Sequence, residues 1–113
     1  MTEFERFQKA YTKYRTLFGL TDYKVYFKYE PIRDSFGDTT INNVDRVATV
    51  RLNSALPKTD IQHKHVTRTA KHEAIHLLLD HLESLALSRY VRDGEIASEV
   101  EALVFKLADL IPD

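Results

Sequence analysis

Apolar residues recur at helical spacing from the start of the chain. Phe4, Phe7, Tyr11, Tyr14 and Phe18 lie three or four residues apart with Glu, Lys and Arg between them. That period predicts a helix over 3–18 with an aromatic core face. Thr2 is its expected N-cap, with Glu5 three residues on as in a capping box. Gly19 stands where a helix end favours a left-handed residue. The period then changes to two. Over 22–30, Tyr23, Val25, Phe27 and Tyr29 alternate with Lys24, Tyr26 and Lys28, which predicts a half-buried strand ended by Pro31. Residues 33–45 are rich in turn formers, with a short strand expected at 38–42, and 46–53 read as a second clear strand.

Pro57 and Asp60 introduce a long helical stretch. From about 61 to 90 the apolar positions Val66, Ala70, Ile75, Leu78, Leu79, Leu82, Leu85 and Ala86 keep the helical period. Asp93-Gly94 breaks the pattern. A last helix is expected over 95–111, with Ile96, Val100, Leu103, Leu107 and Leu110 as its stripe and Pro112 as its stop. The order predicts a single α+β domain over 1–113: an N-terminal helix, a short, mainly antiparallel sheet, then two long helices.

Composition narrows the function classes. The 113 residues contain no cysteine, which removes disulfide scaffolds, thiolate zinc sites and cysteine nucleophiles and fits a cytoplasmic location. The charged N-terminus has no apolar core of a signal peptide, and no apolar run reaches the roughly 20 residues of a membrane span, so no membrane partner is expected. Residues 1–57 carry nine Lys/Arg against seven Asp/Glu, and residues 58–113 seven against ten. Neither half is a dedicated nucleic-acid surface. All five histidines fall between positions 63 and 81.

Residues 72–76 read His-Glu-Ala-Ile-His. His72 and His76, at i and i+4, leave one face of a helix a turn apart, so both can reach one Zn²⁺ at roughly 2.0–2.1 Å. Glu73 is turned about 100° from His72; it is badly placed as a ligand but well placed to reach a metal-bound water. A hydrolytic zinc site wants a third protein ligand and one open position. With no cysteine, that ligand must be His, Asp or Glu. His81 lies about 140° round the helix from His76, and His65 about 10 Å along the axis from His72. The last helix offers Glu95, Glu99 and Glu101. Glu99 and Glu101 border the apolar stripe on opposite sides, and Glu95 lies farther out, where a helix start attracts acids in any case.

With these residues the chain resembles small gluzincin-type metallopeptidases: the ImmA/IrrE-like and SprT-like domains and the minimal zincins of phage and mobile-element genomes. The likeness covers most of the chain. The ImmA/IrrE-like families also carry a Glu, an Ala three residues on, a Phe, an aliphatic pair and Pro, which Glu99, Ala102, Phe105, Leu110, Ile111 and Pro112 follow. The resemblance implies that His72, His76 and Glu99 bind zinc and that Glu73 is the general base. Other gluzincins place an acid four residues after the ligand Glu; in that pattern Glu95 is the ligand and Glu99 its partner.

The implied activity is zinc-dependent hydrolysis of a peptide or protein substrate. Strand 46–53 resembles the edge strand on which zincins hold substrate. Tyr90 and Arg92 are positional candidates for an oxyanion donor. Lys58, Lys64, Arg68 and Lys71, with His63 and His65, form a basic approach that also admits DNA or an acidic substrate. The alternative reading is a zinc-binding regulatory or DNA-associated domain without proteolysis. So short a chain leaves little room for a recognition domain, so a regulatory protein partner is compatible with either.

Overall fold

The structure, a computed structural model, describes residues 1–55 and 65–112. Helix α1 spans Glu3–Leu17 and opens with the expected capping box. The Thr2 hydroxyl accepts from the Glu5 N–H at 3.1 Å, and the Glu5 carboxylate accepts from the Thr2 N–H at 3.3 Å. Two orphan backbone donors are thereby satisfied. Gly19 ends the helix at φ 69°, a conformation that costs glycine little. Arg15 secures the turn by donating to the Leu20 carbonyl at 3.1 Å.

Three strands follow: β1 (Lys24–Glu30), β2 (Gly37–Asn42) and β3 (Val47–Asn53). The sheet is mixed, in the order β1-β3-β2. β2 and β3 form an antiparallel pair with Gly37 opposite Leu52, whereas β1 and β3 run parallel with Lys24 opposite Val47. The α+β order of helix, short sheet and two helices is the expected one, with one antiparallel and one parallel pairing inside the sheet. The turn between β2 and β3 reverses the chain, with Arg46 at φ 57° and the Asn42 side chain accepting from the Asp45 N–H at 3.1 Å. β3 then enters between β2 and β1, and its direction makes the second pairing parallel. Alternation along a strand reports which side chains are buried, not which strand lies alongside.

One face of the sheet carries the core. Ala48, Val50 and Leu52 are fully buried, packed with Phe7 and Tyr11 of α1. Phe27 meets Tyr11 edge-on at 5.4 Å between ring centroids, and Tyr29 stacks on Phe4 at 5.1 Å. Asn53 is buried at the end of β3. Its amide donates to the carbonyls of Ile32 and Ser35 at 2.8 and 2.9 Å, and its oxygen accepts from the Ile32 and Ala55 N–H groups, fixing the loop that leads into β2. On the opposite face Arg51 bonds Asp38 and Glu30 across all three strands.

Helix α2 (Val66–Leu87) crosses this core with Val66, Ala70, Ala74, Leu77 and Leu78 inward. The expected helix start at 61–64, with Pro57 and Asp60 before it, lies outside the described residues. Helix α3 spans Asp93–Leu110. The break before it falls at 88–92, where Ser88 is extended (φ −79°, ψ 138°), so Asp93 and Gly94 belong to the first turn instead of separating the helices. Asp93 and Glu95 place negative charge at the helix start, which the macrodipole favours. The stripe expected to be core is buried only at Leu103; Val100, Leu107 and Leu110 are 41, 41 and 37% exposed. The reason is rotational. α3 meets the rest of the fold through Glu99, Leu103 and Lys106, whose ammonium donates to the Phe18 carbonyl at 2.9 Å, and this face lies to one side of the stripe.

Candidate metal centre

His72 and His76 leave the exposed side of α2 one turn apart. Their Nε2 atoms are 3.2 Å from each other, with ring centroids 4.8 Å apart and the planes inclined at 71°. Two ligands of one tetrahedral Zn²⁺, each at roughly 2.05 Å, are separated by about 3.3 Å. The separation in the protein therefore matches what one ion requires of two imidazoles, and soft-borderline nitrogen donors are ordinary zinc ligands.

Glu73, beside the two exposed rings, is itself buried. It is 4% exposed, between α2 and the sheet. Such burial is costly for a carboxylate unless hydrogen bonds replace water. Thr39 on β2 provides one: its Oγ1 donates to Glu73 Oε1 at 2.6 Å. A small residue on β2 makes the approach close enough. A Cβ on Gly37 would lie 2.8 Å from the Arg51 carbonyl oxygen, 3.0 Å from Thr69 Cγ2 and 3.8 Å from Glu73 Cγ. Tyr11 is fully buried, and its hydroxyl has no hydrogen-bond partner among the described residues. Burial pushes the Tyr11 hydroxyl well above the usual phenol range, and the neighbouring Glu73 charge pushes it further in the same direction. The ligand atoms of His72, Glu73 and His76 all lie within 4.8 Å of one another, and among the described residues these are the three His, Asp or Glu side chains that converge as a metal could require.

Glu99 is not in that group. Its Oε2 is 3.0 Å from Nδ1 of His81. His81 is five residues past His76, so it faces α3 rather than the His72–His76 side, and it holds Glu99 there. A cleft of about 350 Å³ adjoins this second pair, lined by Tyr23, Arg46, His81, Glu99 and Lys106 among others; it does not reach His72 or His76. Glu95 and Glu101 are exposed on α3, as are Tyr90 and Arg92 in and beside the turn before it. His65 is exposed at the start of α2, with Arg68 and Lys71 exposed after it. Lys58, His63 and Lys64 lie outside the described residues.

The edge-strand expectation is corrected. Strand 46–53 is the central strand, paired on both sides, so its ladder bonds are already used. The edge beside α2 is β2, the strand that carries Thr39. The residues that seat Glu73 carry no mark in the sequence: Thr39 and Gly37 fall in a turn-rich stretch, and Tyr11 reads as one more aromatic of the α1 core.

Among the described residues no helix is long and apolar enough to cross a membrane. No family model, curated protein or solved structure matches the chain.

Proposed function

We propose that the chain is a zinc-dependent metallopeptidase of the gluzincin type, acting on a peptide or protein substrate. The observation that carries this reading is the 3.2 Å separation of the His72 and His76 Nε2 atoms beside the buried Glu73 carboxylate. His72 and His76 hold the metal. When bound, Zn²⁺ supplies Lewis acidity and lowers the pKa of its water towards about 7. Beside a metal so held, the Glu73 carboxylate would accept a proton from the nucleophilic water and return it to the leaving amine. β2, at the sheet edge, offers its outer N–H and C=O groups to an extended substrate.

The third ligand follows from the resemblance, which implies Glu99. In the arrangement described, Glu99 is bonded to His81, so this assignment requires the carboxylate to give up His81 when metal binds. A cytoplasmic site of action accords with the absence of cysteine. Exposed Arg68 and Lys71 on the histidine helix favour a second reading, a zinc-binding regulatory or DNA-associated domain in which the same ligands serve structure.

Glu73→Gln decides between them. The variant should bind about one zinc per chain, fold normally and lose hydrolysis of a fluorogenic peptide library. Wild-type cleavage by this variant overturns the water mechanism. A wild-type protein that binds zinc and cleaves nothing supports the regulatory reading.

A further inference from the structure

The geometry points to Thr39 as the positioning residue of this site: by bonding one oxygen of Glu73 it holds the carboxylate in a single orientation beside the histidine pair. The inference deepens the metallopeptidase reading and rests on it for its effect on rate. The placement itself rests on three observations. The Thr39 Oγ1 bond to Glu73 Oε1 is short, at 2.6 Å, and joins residues from different elements, an edge strand and the metal-site helix. Glu73 is buried, so water offers this oxygen little competing solvation. Gly37, two residues before Thr39 on the same strand, has no side chain to hold β2 away from α2.

The remaining surroundings explain why a dedicated donor is needed. A glutamate side chain has three rotatable torsions, and helix geometry alone constrains chiefly the first. Tyr11, buried in the same core, packs against Phe7 and Phe27, and its hydroxyl makes no hydrogen bond among the described residues. The described hydrogen bonds to Glu73 therefore come from the sheet, through Thr39. A carboxylate has two oxygens and about four lone-pair sites, so engaging Oε1 leaves the second oxygen for proton transfer. A strand that binds substrate along its outer edge would then be the same strand that aims the base.

Three proteins test this: wild type, Thr39→Val, which keeps the shape and removes the hydroxyl, and Thr39→Ser, which keeps the hydroxyl. Crystal structures of the metal-free proteins should show Glu73 in one orientation in wild type and Thr39→Ser, and displaced or in several conformers in Thr39→Val. With zinc bound and a fluorogenic peptide library as probe, Thr39→Val should lose about tenfold to a hundredfold in kcat with KM and zinc affinity within about twofold, and Thr39→Ser should recover most of the loss. An unmoved Glu73 in Thr39→Val overturns the inference, as does a Thr39→Ser variant as impaired as Thr39→Val, which marks a packing role. If wild type cleaves nothing while the crystal structures behave as expected, the positioning stands and the peptidase reading falls.

Discussion

Helix α2 carries two polar groups that differ in what holds them. On the β2 side, Glu73 is buried and bonded by a strand, while His72 and His76 stand exposed beside it. On the α3 side, His81 and Glu99 pair across two helices, with side chains 45 and 20% exposed, and α3 itself buries only Leu103. The first group is fixed by the sheet and the core. The second is fixed by a helix that touches the fold along one edge. Chemistry that needs an exact orientation belongs on the first, and a contact that has to exchange partners belongs on the second.

The largest expected effect separates the two supports. Leu77→Ala, at a core position of α2 only 1% exposed, should cost about 2–5 kcal/mol in chemical denaturation. Leu107→Ala, on the exposed stripe of α3, should cost less than about 1 kcal/mol, because the side chain is already 41% in water. Equal losses would mean that α3 is as firmly built in as α2.

Next comes the metal. The double variant His72→Ala/His76→Ala should weaken zinc binding more than about a hundredfold by competition titration, a loss of about 2.7 kcal/mol. The metal-free stability should stay within about 0.5 kcal/mol of wild type, because both rings are exposed. Retained affinity would remove the pair from the metal site.

Gly37→Ala attacks the close seat of Glu73. The added methyl meets the Arg51 carbonyl oxygen at 2.8 Å, and a backbone atom has little room to yield. We expect a loss of about 1–3 kcal/mol, from overpacking, together with reduced order of Glu73 in a crystal structure. A neutral result would show that β2 can shift outward without loss.

At the His81–Glu99 pair the effect on stability is small: Glu99→Gln should cost less than about 1 kcal/mol, as exposed or partly exposed pairs do. Its effect on zinc is the sharper measurement. If Glu99 exchanges His81 for the metal, Glu99→Gln weakens zinc binding more than about tenfold, since a neutral amide is a poor ligand. His81→Gln, which removes the competing partner, should then leave affinity unchanged or raise it. Unchanged affinity in Glu99→Gln removes Glu99 from the ligand set and leaves it as a tie between α2 and α3.

The elements of the fold were legible because each is written in a local period. The capping box at Thr2 and Glu5, the left-handed Gly19 and the strand at 38–42 all follow from residues within a few positions of one another. The histidine pair belongs with them: i,i+4 spacing sets both rings on one side of any helix that contains them. Where the reading departs from the structure, the missing information is a neighbour. Strand 46–53 resembles the edge strand of zincins, yet its place between β1 and β2 depends on a turn that returns it into the sheet. The stripe of α3 has the right period for a core face, and the helix is rotated so that only Leu103 is buried.

The sequence by itself determined the helix, the sheet strands and the direction of His72, Glu73 and His76 relative to their own axis, because torsional preference and side-chain period act over a turn or a pleat. Only the tertiary structure decided what stands opposite each of those side chains. Thr39 reaches Glu73 across 34 positions of chain, and His81 reaches Glu99 across 18. Contacts at such separations are set by how whole elements pack, through the shared burial of residues such as Tyr11, Leu52 and Leu77, and no local spacing encodes which polar group that packing brings alongside.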